Sequence, residues 1–412
     1  MVTMQVVCGD SLAILPTLPA ESCDSCVTDP PYELAFMGKK WDASGIANSV
    51  PLWREVLRVL KPGAYLLAFG GTRTHHRMTC AIENAGFIIR DELAWMYGTG
   101  FPKSLDVSKA IDKAAGAERE VTCAARWANR TPHGCTGIRG NVFAKSHDAT
   151  APATPEAQQW AGWGTALKPA HEPIVLAQKP LDGTYAENVL KHGCGALNVD
   201  GCRIEGAKPD TVRGAGGQHG RYRPIEAQGT IPDDGKGRFP ANVLLDEVAA
   251  AMLDEQSGES VSTSKVGHRS GKASGVLGAF VGQEAVVMGH ADSGGASRFF
   301  YTAKASGKER FYLCKTCNTV FPQSMLDAHK GHDVKTHPTV KPVKLMEYLL
   351  RLVTPPGGTV LDPFAGTGTT LVAAQVQGFK AVGVEMDEDY RKIICHRLAQ
   401  DAPLFRAAGG AA

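Results

Sequence analysis

An α/β fold built on a parallel sheet is predicted by three observations. Strand and helix signals alternate through the first 100 residues, the pattern that parallel strands joined by helical crossovers produce. The same alternation resumes at Pro342 and continues to Leu398. Within that second stretch, the apolar strand Thr359-Val360-Leu361 runs into Asp362-Pro363-Phe364-Ala365-Gly366-Thr367-Gly368-Thr369-Thr370. A glycine turn placed directly after a strand lets backbone approach a nucleoside closely.

Taken in order, Gln5-Val6-Val7-Cys8 reads as a strand ending at Gly9-Asp10, with Ser11 capping a helix that holds Leu12, Ile14 and Leu15. Cys26-Val27-Thr28 is the next strand and leads into Asp29. Trp53 to Leu60 has helical apolar spacing and stops at Lys61-Pro62-Gly63. Ala64 to Phe69 follows as a buried strand, then a helix around Met78 to Asn84 and a strand from Phe87 to Trp95. After Phe101 the pattern decays, and His171 to Ala177 restores one strand. A second irregular stretch runs from Leu181 to about Arg310, and eleven glycines fall in the 45 residues from Gly193 to Gly237. Then come a helix from Lys344 to Leu352, the glycine-turn strand, a helix from Thr370 to Gln377, the strand Ala381 to Glu385 and a helix from Asp389 to Leu398. One sheet interrupted by two insertions accounts for this better than independent domains in series.

Composition narrows the function. A hydrophobic fraction of 43% over 412 residues supports a sizeable core. A net charge of +2 excludes a globally basic nucleic-acid binder, so any nucleic-acid surface is local. No apolar run approaches the ~18 residues of a membrane span, and Met1 to Asp10 lacks a signal-peptide layout. The chain therefore reads as cytosolic, and its 11 cysteines as core residues or metal ligands rather than disulfides.

Two motifs carry the chemistry. Asp29-Pro30-Pro31-Tyr32 offers a carboxylate, a carbonyl fixed by two prolines and an aromatic face. That set suits an exocyclic amino group whose two hydrogens need acceptors and whose base needs a stacking surface. In the glycine turn, Phe364, Gly366 and Gly368 leave room where a Cβ would collide with a ligand, and Glu385 ends the next strand, seventeen residues beyond Gly368. A carboxylate there can accept both ribose hydroxyls. The spacing Phe-x-Gly-x-Gly weakens the rival assignment to NAD.

This pair, with the catalytic motif first, resembles the β-type DNA amino-methyltransferases, which methylate adenine N6 or cytosine N4 from S-adenosylmethionine. The stretches Gly164 to Ile174 and Arg298 to Ala305 are similar to phage or prophage members in particular. The resemblance implies a Rossmann-like methyltransferase fold, circularly permuted, with inserted target-recognition loops. It implies Asp29, Pro30, Pro31 and Tyr32 as the active site acting on a base flipped from duplex DNA. Asp10 then matches the position that binds the cofactor's adenine. Thr339 and Lys341, within His337-Pro338-Thr339-Val340-Lys341-Pro342, match the methionine end, and Asp362, Thr369 and Thr370 complete the turn. Asp at the first catalytic position leans towards adenine N6, with cytosine N4 open. A different class, a non-catalytic zinc-bearing DNA-binding protein on the same fold, is weakened by the intact motifs.

On this basis residues 1–116 form the catalytic half, 117–165 an insertion, 166–180 a returning strand and 181–310 a target-recognition insertion. A small zinc module follows at 311–335, the cofactor half at 336–400 and a tail at 401–412. Val121 to His147 and Ser260 to Gln283 lack acidic residues, which makes Arg126, Arg130, Arg139, Lys265 and Arg269 candidates for DNA contact. Cys314-x2-Cys317 and His329-x2-His332, eleven residues apart, approximate a Cys2His2 zinc pattern, with Phe321 and Leu326 as its apolar plug. The resemblance allows a homodimer and a cognate restriction nuclease as partners, in a bacterial or phage-infected cytoplasm.

Overall fold

Among the described residues, nine strands form the central sheet. The computed structural model describes residues 3–34, 43–100, 104–123, 149–205, 237–261, 265–267, 286–288, 293–303, 309–337 and 340–400. The strands are β1 (Met4–Cys8), β2 (Cys23–Thr28), β3 (Leu60–Phe69), β4 (Ile88–Met96), β5 (His171–Gln178), β6 (Val243–Asp246), β7 (Tyr301–Ala303), β8 (Thr359–Asp362) and β9 (Lys380–Glu385). Their spatial order is β1-β9-β8-β2-β3-β5-β4-β6-β7. Every strand runs the same way except β5, which pairs antiparallel with both β3 and β4.

The sheet is therefore mixed, not purely parallel as the sequence pattern predicts. A fully buried strand is apolar throughout whichever way it runs, so nothing in its composition announces its direction. The reversal has a functional consequence. The carboxyl ends of eight strands and the amino end of β5 meet at one edge of the sheet.

Burial explains why these segments are strands. All six residues of β2 and the run Gly63–Phe69 of β3 are buried on both faces. Helix Val50–Val59 covers one face with Leu52, Trp53, Val56 and Val59, an i, i+1, i+4, i+7 stripe. Helices His75–Asn84 and Val50–Val59 share one apolar cluster, while helices Val343–Val353 and Thr369–Gln377 belong to the cluster that includes Leu67, Phe69 and Val360. Tyr301 of β7 stacks on Tyr348 with ring centroids 3.9 Å apart.

Several boundaries differ from the expected ones. Asp10, not Ser11, caps the first helix, its Oδ1 accepting from Leu12 N at 2.8 Å. Lys61-Pro62-Gly63 does not separate a helix from a strand, because it lies within β3, which begins at Leu60. Asn188 Nδ2 donates to the Pro62 carbonyl at 3.0 Å, and three extra residues of β3 are absorbed as a register shift between Cys23 and Ser25. The 181–310 stretch is not wholly outside the sheet: β6 and β7 come from it, too short for a periodic signal to register.

The chain divides into two compact units, residues 1–98 with 171–412 and residues 99–170. The inserted unit thus starts before the expected boundary at 117 and takes in helix Val107–Ala114. It is organised by the buried Asp112, which pairs with Arg119 at 2.6 Å and accepts from the backbone of Ala153 and Thr154. Those bonds hold the Asp112 carboxyl below its ordinary range against the opposing effect of burial. Trp160 and Trp163 stack edge to face, centroids 5.1 Å apart, and Trp163 is 61% exposed. Among the described residues no helix is long and apolar enough to cross a membrane.

Candidate active site

The two sequence motifs meet because their strands are neighbours. Asp29 follows β2, Pro363 follows β8, and these strands pair directly through Val360–Ser25 and Leu361–Cys26. Thr28 Oγ1 donates to Asp362 Oδ1 at 2.7 Å, tying one motif to the other. Ligands of open α/β sheets bind at this carboxyl edge, where the chain crosses over in opposite directions.

At the first motif a charged cluster forms. The ammonium of Lys341 lies 2.8 Å from Asp29 Oδ2, 3.2 Å from Glu172 Oε2 and 3.0 Å from the Tyr32 hydroxyl. Tyr32 in turn donates to Glu172 Oε2 at 2.8 Å. The same ammonium sits 4.8 Å from the centre of the Phe69 ring and 5.2 Å from that of Tyr32. Burial alone would discharge Lys341, but the carboxylates of Asp29 and Glu172 outweigh it and hold its pKa above the ordinary value. Burial and the same two carboxylates push the Tyr32 hydroxyl well above its usual pKa, so it remains a donor.

Asp29 is left with one acceptor. Its Oδ1 is buried and has no hydrogen-bond partner among the described residues. A buried, unpartnered carboxylate oxygen is costly, and it is the group a donor from a bound molecule would satisfy. The Tyr32 backbone is fixed from the other side, Thr74 Oγ1 donating to its carbonyl at 2.5 Å. Gly71 permits this approach, since a Cβ there would lie 3.2 Å from the Tyr32 ring.

At the second motif the glycine turn is held from inside. Gly366 N donates to Glu385 Oε2 at 2.7 Å, and Asp387 N donates to Glu385 Oε1 at 2.9 Å. Burial raises the Glu385 carboxyl to about 7 in spite of these two bonds. Burial likewise raises Asp362 to about 6, opposed by hydrogen bonds from Thr370, Thr28 and Phe364 N. Gly9 N bonds the Glu385 carbonyl at 2.9 Å, which sets Asp10 beside Glu385 at the ends of two paired strands. Thr369 and Thr370 are buried, their hydroxyls engaged by Arg397 and Asp362, so Phe364 and Gly366 are the more open groups of the turn. Gly368 has φ +80° and an added Cβ would meet Ile394 Cγ2 at 2.8 Å. Gly368→Ala is therefore expected to cost about 2 kcal/mol of stability or more, read by chemical denaturation.

Two residues of this site, Glu172 and Arg397, escaped the sequence, whereas Lys341 was among its candidates. Glu172 gives no local signal, and it arrives because β5 runs backwards and starts where the others end. Lys341, expected near the methionine end of a cofactor, has its ammonium on Asp29. Arg397, 2% exposed, donates to the Thr367 carbonyl at 2.7 Å and so supports the turn from the last helix. Thr339, Arg126, Arg130, Arg139 and Arg269 lie outside the described residues. The backbone of Lys265 belongs to a short ribbon, Lys265–Gly267 paired with Val286–Met288.

The four zinc candidates converge elsewhere. One ligand atom each from Cys314, Cys317, His329 and His332 lies within 4.8 Å of all the others. They are carried by a three-stranded antiparallel sheet, Phe311–Cys314, Thr319–Pro322 and Val334–Thr336, rather than by a helical histidine pair. His329 ends a 3-10 segment and Gly331, at φ +88°, turns the chain so that His332 faces the same point. The plug is Phe321 with Tyr312, because Leu326 is 39% exposed.

Comparison with known proteins follows the same lines. The family model for N6-adenine and N4-cytosine enzymes, described as DNA methylase, matches residues 23–200 and 295–396, about two thirds of the chain. The type II methyltransferase M.HindIII of Haemophilus influenzae is 31% identical over 147 residues, 35% of this chain and 36% of that protein. The DNA adenine methyltransferase YhdJ of Escherichia coli is 39% identical over 66 residues, 16% of this chain and 22% of that protein. The chain thus matches well under half the length of these relatives. The solved cytosine-N4-specific PvuII DNA methyltransferase aligns with 96% of this chain and 87% of its own at a TM-score of 0.44 and 13% identity.

Proposed function

The chain belongs to the N6-adenine/N4-cytosine DNA methylase family, and on that premise we propose that it methylates adenine N6 in duplex DNA, with cytosine N4 as the alternative base. The observation that carries this is Asp29 Oδ1, a buried acceptor without a partner among the described residues, placed at the edge where the two motifs meet. An exocyclic amine is a weak nucleophile because its lone pair is delocalised into the ring. Asp29 Oδ1 and the Pro30 carbonyl can accept its two hydrogens and draw the nitrogen towards a tetrahedral shape, preorganised by the prolines. Oδ1 is also the atom placed to receive the proton that leaves. Lys341 engages Asp29 Oδ2 and so leaves Oδ1 for that purpose, and Glu172 gives Lys341 a second carboxylate.

The Tyr32 ring gives an extruded base a surface, its hydroxyl held by Glu172 and Lys341. S-adenosylmethionine, when bound, supplies the activated methyl group, and Asp10, Phe364, Gly366 and Glu385 are the residues that would hold it. Asp at position 29 and the similarity to the DNA adenine methyltransferase YhdJ both support adenine. The acid-free stretches around Arg126, Arg130, Arg139, Lys265 and Arg269 are the proposed DNA contacts. Transfer of labelled methyl from S-adenosylmethionine into unmethylated duplex DNA tests the proposal, and cofactor binding without any label in DNA would overturn it.

Glu385 predicts a pH dependence of cofactor binding. Ribose hydroxyls donate, so they favour the ionised carboxylate, whereas the free protein holds a carboxyl raised to about 7. Affinity should rise with pH up to that value, by at most about tenfold per unit, and then level off. The stability sign is opposite. A raised folded pKa contributes stability that is present below about 4.5, the ordinary value, and is lost as pH rises through about 7. Glu385→Gln should flatten both profiles in titration calorimetry and thermal melts.

A further inference from the structure

We propose that Cys314, Cys317, His329 and His332 bind one Zn2+, and that the ion locks strand Val334–Thr336 against the start of the last helix, just beyond Glu385. Four observations carry it. Zn–S and Zn–N bonds of about 2.3 and 2.1 Å in a tetrahedron give sulfur–nitrogen edges of about 3.6 Å. Cys314 Sγ lies 3.3 Å from His332 Nδ1, and Cys317 Sγ lies 3.6 Å from His329 Nδ1. Two thiolates and two imidazoles at such edges suit zinc better than a hard cation.

The surroundings fit a structural ion. Cys317 N donates to Cys314 Sγ at 3.4 Å, a bond that orients the sulfur. The Phe321 ring stacks on His329 at 3.9 Å and 10°, fixing the imidazole plane. The module's own apolar cluster is small. Its buried apolar cluster is Tyr312, Cys314 and Phe321, with Val334 packed alongside. So small a core does not offset the entropy of ordering the strands and turns around it, and a metal is the usual remedy.

The ion's reach extends towards Glu385. Two residues after His332 the chain enters strand Val334–Thr336. Lys335 pairs there with Asp387, and with Asp389 at 3.2 Å. Tyr390 donates to the Thr336 carbonyl at 3.3 Å, and its ring meets that of His337 at 5.0 Å. Lys315, next to Cys314, lies 3.4 Å from Asp389. Asp387 is itself bound to Glu385 through its backbone N–H. Lost metal should therefore loosen the segment that positions Glu385, without touching Asp29.

The test uses the full chain. Metal analysis by plasma mass spectrometry is expected to find about one zinc per chain, and Co2+ exchanged into the chain should give the visible bands of a tetrahedral thiolate site. Cys317→Ser should weaken those bands, and His332→Ala should cut zinc content at least fivefold. Hydrogen exchange followed by mass spectrometry then reads the coupling. Amides of 334–336 and 388–392 should exchange at least tenfold faster after EDTA and recover when Zn2+ is restored. A chain that carries no zinc and takes up neither Zn2+ nor Co2+ overturns the site. Zinc that is bound, with exchange at 388–392 unchanged on its removal, overturns the coupling. Neither readout depends on methyl transfer, so failure here is distinct from failure of the methyltransferase assignment.

Discussion

Asp29→Ala is expected to lower the rate of methyl transfer to DNA by about three orders of magnitude while leaving S-adenosylmethionine affinity within about threefold. The split follows from geometry. Asp29 Oδ1 faces no partner among the described residues, so its loss removes an acceptor for the substrate amine. Its other oxygen holds Lys341, which retains Glu172 at 3.2 Å after the substitution. The glycine turn is bound to Glu385 and Asp362 and does not depend on Asp29 Oδ1. Single-turnover kinetics with labelled cofactor, set beside calorimetric binding, separates the two quantities. Equal losses in rate and affinity would instead mark Asp29 as part of the fold.

Lys341→Met should be the most damaging single change to stability. It leaves two carboxylates, Asp29 and Glu172, with side chains 23% and 19% exposed, facing one another without the intervening cation. Removing one member of such a buried set costs about 3–5 kcal/mol, since the remaining charges stay desolvated. Activity should fall with stability. Adding Glu172→Gln to Lys341→Met should restore part of the lost stability, because one of the two repelling charges is gone. Urea denaturation of the single and double variants gives the coupling directly. A change under about 0.5 kcal/mol for Lys341→Met would show that the cluster is solvated and carries no such charge balance.

Much of this architecture is legible in the residues. Buried strands such as Leu66-Leu67-Ala68-Phe69 and Thr359-Val360-Leu361 announce themselves as short apolar runs bounded by glycine and proline. The tetrapeptide at Asp29 and the turn at Gly366 are local, so each can be read without knowing the fold. What joins them is not local. Tyr32 and Lys341 are 309 positions apart and Tyr32 and Glu172 are 140 apart, and only strand order and the reversal of β5 bring them together. Direction leaves no mark on a strand buried on both faces, which is why Glu172 stayed hidden and the sheet was expected to be wholly parallel. The zinc spacing was readable, whereas its scaffold was not. A two-residue gap between histidines implies a strained helix, and a 3-10 segment with a glycine turn resolves it.

The central claim is that Asp29 and its neighbours act on the amine of a DNA base. Unmethylated duplex DNA incubated with the full chain and isotopically labelled S-adenosylmethionine, digested to nucleosides and resolved by mass spectrometry, tests it most directly. Labelled N6-methyladenine, absent with Asp29→Ala, is the predicted product. Labelled N4-methylcytosine would keep the site and change the base. No labelled nucleoside from a chain that binds the cofactor would contradict the account.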